Sequence, residues 1–198
     1  MFSRADESPD WLFYLQPRLV THIDDQAIAA ITGLYREWLP PGGAILDLMS
    51  SWVSHLPAEV AYRRVVGLGM NADELTANPR LDSWVVHDLN ASPSLPFADG
   101  EFDAAAICVS IQYLTRPVEF LRDLARVLQP GGPLVVTFSN RCFPTKAVAA
   151  WLSLGDRGHV DLVTRYLEAA ECWTDIQLRV PPTEGDPVYA VIARVLSA

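Results

Sequence analysis

The chain of 198 residues is short of several kinds of residue, and each scarcity argues against a class of protein. Lysine and arginine number 15 against 24 aspartates and glutamates, so the net charge is −9. Such a surface is poorly suited to nucleic-acid phosphates, and we expect no nucleic-acid partner. No segment approaches the roughly 18 consecutive apolar residues of a spanning helix, so we expect no membrane association.

Cysteine is also scarce. Cys108, Cys142 and Cys172 are far apart in the chain and form no CxxC or Cys/His pattern, which predicts reduced thiols and no metal site. The first ten residues carry charged side chains where a secretory signal would need an apolar run. Together these features predict a cytoplasmic protein.

What the sequence does contain is an alternation of short apolar runs with helical patterns. The predicted strands are 45–48, 65–68, 84–87, 104–109, 134–138, 173–180 and 188–195. The predicted helices are one capped by Asp24 or Asp25, then 53–62, 71–77, one beginning at Pro117, 146–154 and 159–170. This order predicts a single α/β domain with a parallel sheet, right-handed crossovers and an antiparallel pair at the end.

The N-terminal segment does not fit this alternation. Residues 1–10 are expected to be loose, and the aromatic stretch 11–23 has neither helical nor strand periodicity. We expect the segment 1–23 to form a flap over the ligand-binding edge of a core at 24–198. The aromatic residues of the flap are equally compatible with a lid and with a homodimer interface, so a homodimer remains an alternative.

The stretch 43–57 organises the remaining chain, because a buried strand there runs directly into a polar turn. In open α/β sheets, ligands bind outside the carboxyl ends of the strands. The turn contains an unusual set of polar and aromatic side chains: Ser50, Ser51, Trp52, Ser54 and His55. Serine hydroxyls in such a turn either donate to a ligand or cap the following element.

Four motifs carry a resemblance to a known family: Ile45-Leu-Asp-Leu48, Asp88 after the third strand, Leu95-Pro-Phe97 with Phe102-Asp103, and Leu128-Gln-Pro-Gly-Gly-Pro-Leu-Val-Val136. They resemble the class I S-adenosylmethionine-dependent methyltransferases of the type-11-like group. The resemblance implies a Rossmann-like three-layer sandwich with a seven-stranded, mostly parallel sheet of order 3-2-1-4-5-7-6, strand 7 antiparallel. It also implies S-adenosyl-L-methionine as cofactor and a small-molecule methyl acceptor.

The chain departs from the family pattern at two places. The three glycines of the family's D-x-G-x-G-x-G turn are Met49, Ser51 and Val53 here, and the acidic residue expected after strand 2 is replaced by Gly69. Side chains in place of glycines narrow a site where backbone and ligand would approach closely. The alternative hypothesis is therefore a catalytically inactive scaffold that binds a protein partner or another ligand.

The resemblance also implies the site residues, with Asp47 at the methionyl amine and Asp88 at the adenine. The expected cofactor-binding residues are Asp47, Met49, Ser50, Ser51, Gly67, Gly69, Asn71, Asp88, Leu89 and Ser110. The expected substrate-facing residues are Tyr14, Arg18, His22, Tyr113, Asn140 and Arg141.

The catalytic candidates are His22 as a general base and Tyr113 as a group that orients the nucleophile, with plain packing as the alternative for each. Arg18 and Arg141 are candidates for binding an anionic group on a substrate. A serine hydrolase or a nicotinamide-dependent enzyme is a weaker hypothesis, because the chain has neither G-x-S-x-G nor G-x-G-x-x-G.

Overall fold

The computed structural model describes residues 1–197, in which seven strands form one sheet of order β3-β2-β1-β4-β5-β7-β6. The strands are β1 Ala44–Ser50, β2 Arg64–Gly69, β3 Ser83–Val86, β4 Ala104–Cys108, β5 Pro133–Phe138, β6 Trp173–Arg179 and β7 Tyr189–Val195. The helices are α1 Asp10–Phe13, α2 Asp25–Trp38, α3 Ala72–Ala77, α4 Pro117–Val127, α5 Ala149–Leu152 and α6 Asp156–Ala170. Strand β7 is antiparallel to both neighbours, so the predicted order and direction are confirmed.

The central strands β1, β2, β4 and β5 are buried on both faces, as in a mostly parallel sheet, whereas the edge strand β3 is largely exposed. Successive residues of β1 point to opposite sides, so Leu46 packs into the cluster formed with α4 and α6, while Ile45 packs into the cluster formed with α2. The apolar face of α2 includes Ile31 and Tyr35, both fully buried. The side chain of Asp24 caps this helix by accepting a hydrogen bond from the Ala27 amide at 2.8 Å.

Three local predictions are wrong. Residues 51–63 form an irregular loop where a helix over 53–62 was predicted, because the left-handed φ of His55 (49°) breaks a right-handed helix. The helix predicted over 146–154 is reduced to α5. The first ten residues are held in place, since the Asp6 amide donates to the Thr145 carbonyl and the Arg4 guanidinium pairs with Asp10 at 2.7 Å.

The flap at 1–23 and the core from 24 onward remain a proposal for how the chain is divided, and Ala198 lies outside the described residues. Within residues 1–197, no helix is both long enough and apolar enough to cross a bilayer.

The junction of β1 and β2 accounts for the absence of an acidic residue at position 69. The pairing register shifts between Leu48 and Ser50, where Met49 takes a left-handed φ of 53°. Ser50 then pairs with Gly69, and a Cβ on Gly69 would lie 2.2 Å from the Ser50 carbonyl oxygen. No side chain fits at position 69, and therefore no acidic one, because the extended β1 occupies that space.

We expect Gly69→Ala to lower the free energy of unfolding by roughly 1–3 kcal/mol, the usual cost of forcing extra atoms into a packed site. Gly33→Ala is the matched control, because a Cβ on Gly33 of α2 meets no atom within 4 Å. In that helix interior the added methyl should stabilise by roughly 0.5–1 kcal/mol. Urea denaturation measures both. A Gly69→Ala variant with the same free energy of unfolding as wild type would mean that β1 does not extend to Ser50.

Candidate functional site

A cavity of about 290 Å³ opens at the carboxyl ends of β1, β2 and β4. Its floor includes Leu48 of β1, Leu68 of β2 and Cys108 of β4, and the N-terminal segment covers it with Tyr14 and His22 among other residues. This is the edge of an α/β sheet at which ligands bind.

Most of the residues predicted for the site meet at this cavity. From the predicted cofactor set, the wall includes Asp47, Met49, Ser50, Ser51, Gly69, Asp88, Leu89 and Ser110. From the predicted substrate set, it includes Tyr14, Arg18, His22, Tyr113 and Arg141.

Three predicted residues lie off the wall. A Cβ on Gly67 would lie 2.4 Å from a methyl carbon of Leu81, so this glycine serves packing behind β2. The Asn71 side chain caps α3 and donates to the Tyr14 carbonyl at 2.8 Å, which uses both ends of its amide. Asn140 is exposed beyond β5. The structure therefore gives these three no contact with a ligand in the cavity.

The carboxylate of Asp47 fixes the turn after β1. Its Oδ2 accepts hydrogen bonds from the Ser50 hydroxyl at 2.5 Å and from the Ser54 hydroxyl at 2.7 Å. Its Oδ1 accepts none from residues 1–197, and the side chain lies on the cavity wall. The two serine hydroxyls therefore donate to the Asp47 carboxylate, and its Oδ1 is left to accept from a ligand.

The cavity wall carries backbone strain. Met49, His55 and Val109 have positive φ values of 53°, 49° and 47°, and all three line the cavity. Such a conformation costs a non-glycine residue about 1–3 kcal/mol, most of all a β-branched one such as Val109. Met49, at the position of the family's first glycine, holds a conformation that glycine adopts freely.

Asp88 uses one of its two carboxylate oxygens to form a turn. Its Oδ1 accepts hydrogen bonds from the amides of Asn90 (2.9 Å) and Ala91 (3.1 Å), which forms an Asx turn at the end of the strand region. Its Oδ2 accepts none within the described part of the chain, and the residue lines the cavity.

Residues 50–136 match a family model described as a methyltransferase domain. A demethylmenaquinone methyltransferase of Renibacterium salmoninarum is 32% identical over 105 residues, which are 52% of this chain and 44% of the relative. The ubiquinone/menaquinone biosynthesis C-methyltransferase UbiE of Roseobacter denitrificans is 49% identical over 92 residues, which are 46% of this chain and 30% of the relative. These alignments span less than half of either relative.

Solved structures agree on the fold. A S-adenosylmethionine-dependent methyltransferase from Aquifex aeolicus superposes with a TM-score of 0.62 at 17% identity, covering 87% of this chain and 94% of that one. The [4+2]-cyclase SpnF also gives 0.62, at 18% identity, over 85% of this chain and 80% of that one. The match over residues 50–136 and the shared fold together support the class I S-adenosylmethionine-dependent methyltransferase family for this chain.

Hydrogen bonds tie the N-terminal segment to the turn after β1. The buried Glu74 accepts from the Ser51 hydroxyl at 2.6 Å and from the Arg18 amide at 2.7 Å. The Trp52 indole donates to the Val20 carbonyl at 3.0 Å. Sequence reasoning missed Glu74, because an acid three residues after the cap of a helix suggests capping and nothing more.

A buried ion cluster on the cavity wall was also missed. Asp10 pairs with Arg4 at 2.7 Å and with Lys146 at 3.2 Å, and the Asn90 amide donates to it at 2.8 Å. Burial acts to raise the pKa of Asp10, but these hydrogen bonds and the Arg4 charge outweigh it and hold the pKa below its usual value. No sequence signal joins residues so far apart in the chain.

The two catalytic candidates differ in their chemistry. Burial and the Arg18 charge lower the pKa of His22 against the opposing effect of Glu74, so the imidazole is neutral and able to accept a proton at pH 7. The Tyr113 hydroxyl accepts from the Phe143 amide at 2.8 Å, and burial raises its pKa to about 12. Tyr113 therefore remains protonated and suits positioning better than proton abstraction.

The three cysteines are free thiols, and burial raises the pKa of Cys108 on the cavity wall to about 12. Among residues 1–197, no group of three or more His, Cys, Asp and Glu side chains is arranged to hold a metal ion.

The titration of Asp47 gives a stability test. Burial raises its pKa from 3.8 to about 6, although both serines oppose this. The folded state therefore holds a proton between roughly pH 4 and pH 6 that the unfolded state has lost, and wild-type stability falls as the pH rises through this window. Asp47→Asn should be more stable than wild type at pH 8 by about 3 kcal/mol, with the difference shrinking towards pH 4.5.

Urea denaturation at both pH values makes the comparison, with Asp161→Asn as the control, because Asp161 is exposed on α6. The control should match wild type at either pH. A loss of stability in Asp47→Asn that is equal at pH 4.5 and pH 8 would contradict this account.

Proposed function

We propose that the protein is a S-adenosylmethionine-dependent methyltransferase that acts on a small molecule. One observation carries the proposal. The cavity presents two carboxylate oxygens, Asp47 Oδ1 and Asp88 Oδ2, that accept no hydrogen bond within residues 1–197. Both stand where the family pattern expects polar contacts to the cofactor.

The residues present fit the cofactor at both ends. Asp47 Oδ1 would accept from the methionyl ammonium, and Asp88 Oδ2 would accept from the exocyclic adenine amine. Leu68, Leu89 and Val109, all on the wall, would pack against the adenine ring. When bound, the cofactor supplies an electrophilic methyl group on a sulfonium.

The chain's contribution to catalysis would be alignment of an acceptor with that methyl group, since in-line displacement depends strongly on orientation. His22 would take the proton that a protonated acceptor releases, since the neutral imidazole faces the cavity. In the family pattern, the acidic residue after strand 2 binds the ribose of the cofactor. Glu74, a carboxylate on the same wall, would take over this role by exchanging its Ser51 donor for a ribose hydroxyl.

The acceptor is a finer proposal. The names of the curated relatives refer to demethylmenaquinone and to ubiquinone/menaquinone biosynthesis, which makes ring compounds of this kind the first acceptors to assay. The cytoplasmic location and the homodimer remain predictions.

The alternative is a catalytically inactive scaffold that binds a protein partner or another ligand. It is favoured by the side chains of Met49, Ser51 and Val53, which occupy the cavity wall where the family has glycine. This alternative predicts no affinity for the cofactor or its product.

Calorimetric titration with S-adenosylhomocysteine separates the two. We expect saturable binding to wild type, and roughly 10- to 100-fold weaker binding to Asp88→Ala, because the adenine amine loses a charged partner. Asp161→Ala, which removes an exposed carboxylate on α6, should bind as wild type does. No saturable heat at millimolar product in wild type would favour the scaffold, and unchanged affinity in Asp88→Ala would remove that residue from the site.

A further inference from the structure

The guanidinium of Arg18 sits among aromatic rings in the flap. Its central carbon lies 4.4 Å from the ring centre of Phe13, 5.6 Å from that of Phe143 and 5.9 Å from that of Tyr14. Its Nη2 donates to the Phe13 carbonyl at 2.9 Å. Its Nη1 is buried and has no hydrogen-bond partner within residues 1–197. A buried cationic donor left without an acceptor is costly, so such a group calls for an explanation.

The other cations on the cavity wall already have carboxylate partners. Arg4 and Lys146 pair with Asp10 at 2.7 and 3.2 Å, and Arg141 pairs with Asp186 at 2.8 Å. The salt bridges among residues 1–197 leave Arg18 without a carboxylate for its side chain. Arg4 Nε also lacks a hydrogen-bond partner within residues 1–197, but it lies 3.8 Å from a carboxylate oxygen of Glu7. An anion that enters the cavity would therefore find a cationic donor without a nearby carboxylate at Arg18 Nη1.

The rings around this donor offer flat surfaces. Tyr113 lies nearly parallel to Phe143, with ring centres 5.9 Å apart and planes at 27°. His22 meets the same phenylalanine edge-on at 5.1 Å. Tyr113, Phe143 and His22 all line the cavity, as does Arg18. Such walls accept a planar aromatic ligand in stacked or edge-on contact.

We propose that the acceptor is a planar aromatic molecule with an anionic oxygen, a carboxylate or a phenolate, and that Arg18 binds this oxygen through Nη1. Calling this ligand the methyl acceptor rests on the proposed function. The anion-binding site at Arg18 does not depend on that function. The proposal gives no such role to Arg141, the other arginine that the sequence suggested for anion binding. The Arg141 side chain is 61% exposed and already bound to Asp186.

The test uses the full chain and matched probes, with calorimetric titration in the presence and absence of S-adenosylhomocysteine. The anionic probes are 1-naphthoate and 4-nitrophenolate, and the neutral ones are 1-naphthamide and 4-nitroanisole. We expect at least one anion to bind about tenfold or more tightly than its neutral counterpart, since hydrogen bonds to charged groups are the stronger kind. The tighter of the two anions identifies the carboxylate or the phenolate.

Arg18→Met keeps an apolar stem against the rings and removes the donor, so the preference for the anion should disappear while the neutral probe binds as before. Arg18→Lys keeps the charge without the planar fork, and should restore part of the preference. Arg141→Met removes a cation that is already paired and should change the anion's affinity by less than about twofold. S-adenosylhomocysteine should bind Arg18→Met as it binds wild type.

Three results would overturn the assignment. Equal affinities for the anionic and neutral probes, or no binding of any probe, would exclude a planar aromatic anion as the ligand. Equal losses of anion affinity in Arg18→Met and Arg141→Met would mean that the overall positive charge attracts the anion and that no specific donor binds it. A loss of product affinity in Arg18→Met would mean that Arg18 binds the cofactor's own carboxylate. A wild type that prefers the anion but fails to bind product would refute the proposed function and leave the Arg18 site standing.

Discussion

Two serine hydroxyls that converge on one oxygen of Asp47 hold the turn on which the rest of the cavity depends. Strand β1 continues to Ser50 beside this carboxylate, with Met49 strained at the register shift. The extended strand then fills the space beside Gly69, so no acid fits at the end of β2. The extension of β1 to Ser50 thereby accounts for the missing acidic residue after strand 2.

The same turn also holds the flap. Ser51 donates to Glu74, and Glu74 accepts from the Arg18 backbone, so the position of the Arg18 side chain follows from the turn. Strain and a buried carboxylate lower stability at this edge of the sheet, while the two apolar faces behind it supply the stability of the fold. Lower local stability at this edge of the sheet is the pattern expected where residues serve ligand binding and not folding.

How far the sequence predicts this structure depends on the range of the interactions. Strand order follows from the motif resemblance, and helices such as α4 follow from apolar periodicity, so both were predictable. The loop at 51–63 was not, because hydroxyl bonds to Asp47 and a left-handed His55 override local propensity. The contact between Asp10 and Lys146 joins distant segments, and no periodicity reports it.

We propose that the serine-rich turn still forms a cofactor site. The measurement that tests it most directly is the crystal structure of the protein with S-adenosylhomocysteine. We predict the product's ammonium within hydrogen-bond distance of Asp47 Oδ1, the adenine beside Asp88, and Ser50 and Ser54 still on Asp47 Oδ2. Clear density for the turn beside an empty cavity at millimolar product would contradict the claim.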